Sequence, residues 1–146
     1  MATNMKNYRE SPTVLQMEST ECGAASLAMI LATYKAYVPL EYLRADCGIN
    51  RDGSKASNIV KAGKKYGLTT KGIRMEPEGL QNVPMPCILH WNFNHFVVLE
   101  GFKGGKVYIN DPASGKRVIT QEELDRAFTG VVLTFEPGPE FKPVGV

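Results

Sequence analysis

The sequence predicts an α+β domain in which helices come first and an antiparallel sheet follows. Three observations carry this expectation. Residues 24–31 are apolar almost all round a helix, as expected of a helix buried in mid-domain. Two further helical stretches follow it. After Gly67 the period changes, and short β-branched and aromatic runs separated by turn residues take over.

The elements follow in order. Residues 1–12 are polar, end in Ser11-Pro12 and are expected to form a loose lead-in. Val14-Leu15-Gln16 reads as a short extended piece. Ser19 or Thr20 is placed to cap a helix starting near Cys22. Pro39 opens a second helix that Gly48 ends. Ser54 is expected to cap a third, with Ile59, Val60, Ala62 and Tyr66 facing inward and Gly67 as its stop. Strands are expected at 68–75, 85–91, 95–101, 106–111 and 130–136, with tight turns at Asn92-Phe93-Asn94 and Lys103-Gly104-Gly105. Thr120 to Glu123 forms a capping box for one short helix to about Ala127. Pro137, Pro139 and Pro143 end the folded part. The organisation expected is a domain over 13–136 and a Pro-rich linker over 137–146, leading toward something larger.

Composition narrows the class. Hydrophobic residues make up 43% and charged ones 22% of 146 residues, ordinary for one soluble globular domain. A net charge of +2 is too small to argue for nucleic acid. Lys61, Lys64 and Lys65 sit at helical spacing and read as a solvated helix face. No apolar run approaches the roughly 18 residues of a membrane span, and the start lacks the apolar centre of a secretory signal. The expected location is cytoplasmic. The three cysteines include no CxxC pair, so neither a disulfide frame nor a zinc site is indicated, and a reducing compartment fits.

The chemistry starts at Cys22, where loop gives way to helix. Unpaired N–H groups and the macrodipole at a helix N-terminus favour negative charge, so a thiol there is biased toward its nucleophilic thiolate. Cys47, at a helix end, and Cys87, inside a strand run, read as buried structural residues. A nucleophilic cysteine needs a base, and the chain has two histidines, His90 and His95. If Phe102 faces Gly105 in the 95–111 hairpin, His95 lies opposite Pro112, within one residue of Asp111. In that register His90 faces Arg117 and is left as a sheet or rim residue. Asp111 can then fix the tautomer of His95, although on its own it reads as a turn former before Pro112-Ala113-Ser114-Gly115. An oxyanion needs donors. The N–H of Cys22 is one, and the amide of Gln16, six residues upstream, is a candidate second.

Assembled in this way, the sequence resembles the C39 family of cysteine peptidases, the N-terminal domains of bacterial ABC transporters that process and export bacteriocins and lanthipeptides. The resemblance rests on Gln16 to Ala25, with CGAA six residues after the glutamine. It continues through Pro86-Cys87-Ile88-Leu89-His90-Trp91, His95-Phe96-Val97-Val98-Leu99 and Tyr108-Ile109-Asn110-Asp111-Pro112-Ala113-Ser114-Gly115. It extends from about Val14 to Phe135. It implies a papain-like fold, with Cys22 as nucleophile, His95 as general base, Asp111 as orienting acid and Gln16 in the oxyanion hole. One departure is visible: Glu21 stands where the family usually has aspartate.

The implied substrate is a precursor peptide cut after a double-glycine motif, Gly-Gly or Gly-Ala, at the end of a helical leader. The resemblance implies no metal or cofactor. The implied partners are that precursor and the transmembrane and ATP-binding parts of a transporter, whose cytoplasmic face would be the setting. Two alternatives stay open at this point: a non-cleaving C39-like cargo-binding domain, whose family members lack the cysteine, and another thiol amidohydrolase.

Overall fold

The computed structural model describes residues 8–48 and 55–143. Helices α1 (Cys22–Thr33), α2 (Leu40–Cys47) and α3 (Ala56–Lys65) precede strands β1 (Leu68–Arg74), β2 (Cys87–Trp91), β3 (His95–Lys103), β4 (Lys106–Asp111) and β5 (Gly115–Ile119). Helix α4 (Gln121–Ala127) and strand β6 (Phe128–Pro137) follow. The strands form one antiparallel sheet in the order β1-β6-β2-β3-β4-β5. β6 returns to the middle of the sheet and closes the gap between β1 and β2.

α1 has no solvent face over most of its length, since every residue from Cys22 to Ala32 is buried. Leu27, Met29, Ile30 and Leu31 are fully enclosed. They share one core with α2, α3, Ile88, Phe96, Val98, Leu133 and Phe135 on one face of the sheet. The other face carries a second core of Leu89, Trp91, Val97, Leu99, Ile109 and Val132, closed by Leu124 of α4 and by Leu80. A sheet covered on both faces needs apolar residues on both, so β2 and β3 are almost continuously apolar rather than alternating.

Local signals explain most boundaries. Gly48 adopts φ +63° and stops α2. Thr120 and Glu123 exchange hydrogen bonds as a capping box at the start of α4. Ser54 lies outside the described residues. Neither Ser19 nor Thr20 caps α1. Residues Ser19–Glu21 instead form a 3₁₀ turn that runs directly into the helix, and the flanking Glu21 makes no side-chain cap to it.

The hairpin register also differs from expectation. Gly104 and Gly105 both have positive φ, so they are the two central residues of the turn and Lys103 pairs with Lys106. Phe102 therefore faces Val107, not Gly105. A bulge at Glu100 then takes back one residue, so that Leu99 faces Ile109 and Val98 faces Asn110. The two shifts nearly cancel at the far end, and His95 still arrives beside Asp111. His90 does not face Arg117. It pairs with Phe96, while Arg117 pairs with Ile109.

β5 was not expected from sequence. It is a short edge strand whose Lys116, Arg117 and Val118 all face solvent, which hides the period of a strand. Tyr8 to Ser11, expected within a loose lead-in, are docked where described: Tyr8 bridges to Gly101, and Ser11 donates its N–H and hydroxyl to the buried Glu100 carboxylate at 2.7 and 2.8 Å. Beyond β6, Gly138 bonds back to Gly67, and Phe141 packs edge-on against Tyr34.

Candidate active site

Cys22 is the first residue of α1, and the packing of that helix on β3 decides what the thiol meets. One turn along, Ser26 donates its hydroxyl to the carbonyl of Phe96 at 3.4 Å, tying the helix to the strand next to His95. His95 opens β3 and Asp111 closes β4, so both side chains stand at the same end of the sheet.

His95 Nε2 lies 2.8 Å from Asp111 Oδ1. That leaves Nδ1 of the ring for the Cys22 side. The same Asp111 oxygen accepts the N–H of Ala113 at 2.8 Å, and Arg117 stands 3.7 Å from the other oxygen. Burial alone would raise the Asp111 carboxyl, but His95, the Ala113 N–H and Arg117 hold it below the usual range. Burial likewise opposes an imidazolium at His95. The Asp111 carboxylate and the Cys22 thiol outweigh it and lift His95 to about 9. At neutral pH His95 is therefore a cation held between a carboxylate and a thiol. Thiol, imidazole and carboxylate in that sequence are the parts of a nucleophile with its acid–base partner.

Gln16 is brought to the site by its backbone. Its N–H donates to the carbonyl of Pro112 at 2.8 Å, next to Asp111. Its side-chain Oε1 is buried and has no hydrogen-bond partner among the described residues. His90 has a different partner: its Nδ1 meets Thr129 Oγ1 at 2.8 Å, and burial pulls the ring below its ordinary range. Cys47 and Cys87 are fully buried, and burial pushes the Cys47 thiol up to about 12 and Cys87 higher still. Sequence reasoning missed Ala113 and Arg117, because backbone donors and cross-strand charges have no signature without a register.

The match to known proteins is decisive. The family model described as "Peptidase C39 family" matches residues 10–140. The chain belongs to this family. In C39 terms, the "Colicin V secretion/processing ATP-binding protein CvaB" of Escherichia coli is 40% identical over 139 residues, 95% of this chain but 20% of that protein. The "Lactococcin-G-processing and transport ATP-binding protein LagD" of Lactococcus lactis subsp. lactis is 34% identical over 136 residues, 89% of this chain and 19% of that protein. The chain thus spans about a fifth of the length of the curated relatives it matches.

Among solved structures, one is described as a double glycine motif protease from an AMS/PCAT transporter in complex with the leader peptide. It is 59% identical, with a TM-score of 0.88, covering 90% of this chain and 95% of its own. The peptidase domain of Streptococcus ComA is 26% identical with a TM-score of 0.79, covering 85% of this chain and 96% of its own. The C39 domain thus has the papain-like fold expected of it, and the enzyme class is cysteine peptidase.

Proposed function

We propose that this C39 domain removes the leader from a bacteriocin or lanthipeptide precursor by cutting after a double-glycine motif, Gly-Gly or Gly-Ala. Cleavage would be coupled to export by a transporter whose cytoplasmic face carries the domain. The observation that carries the reading is the His95–Asp111 pair at 2.8 Å with the Cys22 thiol against the same ring. The similarity to a double-glycine protease supports the choice of substrate. Among the described residues, no helix is long and apolar enough to cross a membrane.

The mechanism follows from these positions. The Cys22 thiolate attacks the carbonyl carbon of the second motif residue. The carbonyl electron pair moves to oxygen, and the oxyanion is held by the N–H of Cys22 and the amide of Gln16. The His95 imidazolium then gives its proton to the departing amine as the C–N bond breaks, leaving a thioester on Cys22. His95, now neutral, takes a proton from water, which attacks the thioester. Collapse of the second oxyanion releases the leader carboxylate and restores the thiol pair. Asp111 keeps the ring oriented throughout and stabilises its imidazolium form.

The test is incubation with a precursor bearing a double-glycine leader, followed by mass analysis. We expect one cut after the second motif residue. Cys22→Ala should abolish it with leader binding retained, whereas Cys47→Ala and Cys87→Ala should still cut. Full activity in Cys22→Ala would overturn the assignment.

A further inference from the structure

Glu21 is a carboxylate with no exposed surface, placed immediately before Cys22. Burying a carboxylate is costly unless it is paired and hydrogen-bonded. Its bonds are specific. Oε1 accepts the N–H of Met17 at 2.7 Å and of Glu18 at 3.0 Å, and Oε2 is ion-paired with Arg44 of α2. Burial works against its charge, but Arg44 and the two N–H groups outweigh burial and hold the carboxyl below its usual range.

What these bonds fix is the loop that carries Gln16. Apolar packing reaches the stretch at Val14, but the immediate neighbours Leu15 and Met17 are 53% and 81% exposed. Three backbone N–H groups anchor the stretch. That of Gln16 reaches the residue after Asp111, and those of Met17 and Glu18 reach the residue before Cys22. The first bond sets Gln16 against the acid. The other two set it against the nucleophile.

We infer that Glu21 is a positioning residue for the oxyanion hole, holding Gln16 relative to Cys22 through the N–H groups of Met17 and Glu18, with Arg44 as its counter-ion. This rests on the proposed role of Gln16. A donor must sit within hydrogen-bond distance of the developing oxyanion, so a loop displaced by an ångström forfeits much of its effect. The side-chain bonds of Glu21 run to Met17, Glu18 and Arg44, so the consequence we expect is in the chemical step.

The test is steady-state cleavage of a double-glycine precursor by Glu21→Gln, Gln16→Ala and the double variant. An amide keeps the shape, but whichever way it turns, either Arg44 or the two N–H groups face an NH₂. We expect kcat of Glu21→Gln to fall about tenfold or more. The fall should not exceed the about 10²–10³-fold of losing the donor itself, with KM unchanged. In the Gln16→Ala background the same change should cost less than about twofold. Alkylation of Cys22 by iodoacetamide, which forms no oxyanion, should keep its rate. Arg44→Met, altering a half-exposed side chain, should give the same pattern with a smaller fall and serves if Glu21→Gln does not fold. An unchanged kcat, an equal fall in both backgrounds, or alkylation slowed in step with turnover overturns the inference. If Gln16→Ala itself leaves kcat intact, it is the site reading that fails, and the inference with it.

Discussion

In the proposed mechanism, acid–base chemistry and charge both turn on His95. General acid–base help is worth about 10²–10⁴-fold, so His95→Ala should lower turnover by that order. His90→Ala should cost far less, because its ring is tied to Thr129 rather than to the site. Steady-state kinetics of the two variants checks the ranking, and the reverse order would remove His95 from its role. The pH profile has a definite sign. His95 is raised from its ordinary 6.5 to about 9, so the imidazolium needed for the leaving amine persists through neutrality and is lost above about 9. Cleavage should therefore decline on an alkaline limb near that value. In Asp111→Asn the carboxylate that raises it is gone, and the limb should move to lower pH. The same shift stabilises the fold fully below pH 6.5, and that contribution is lost as pH rises through about 9. Urea midpoints of the wild type and His95→Gln should converge across that window.

At the scale of elements, the site depends on how closely helices approach the sheet. α3 lies over β1 and β6 through Gly63, where a Cβ would come within 2.9 Å of Thr70 Cγ2 and 3.0 Å of Phe135 Cε2. Gly63→Val should thus overpack that contact and cost about 1–3 kcal/mol by denaturant titration. Unchanged stability would mean the helix is free to lift. Element type and order were largely legible, because all-round apolarity, glycine stops and the capping box are local signals. The meeting of His95 with Asp111 was legible too, since each stands at a strand end. What sequence could not supply was register. The bulge at Glu100 depends on a buried carboxylate meeting Ser11, a contact across 89 positions of chain. Charged β5 escaped because its exposed middle residues hide the strand period, and the buried Glu21 because its counter-ion Arg44 lies 23 positions along the chain.

At the scale of the whole molecule, specificity has to come from more than the scissile bond. Under the proposed function, two glycines carry no side chain to read, so discrimination would fall to the leader. A helical leader laid in a surface groove is read through apolar anchors at helical spacing, each worth about 1.5–3 kcal/mol. Replacing one anchor by Ala should raise KM with kcat little altered, whereas a bulky residue just before the cut should stop cleavage. A short peptide holding only the motif and a few neighbours, cut as well as the full precursor, would rule the groove out. The enclosure of α1 has a consequence of another kind. Cys22 rides on a helix whose every neighbour is core, so nothing short of the complete fold holds the thiol against His95. Heat inactivation should then coincide with melting, and residual activity becomes a direct gauge of the folded fraction. Cys47 and Cys87, sealed in the two cores, should become reactive to Ellman's reagent in that same single step.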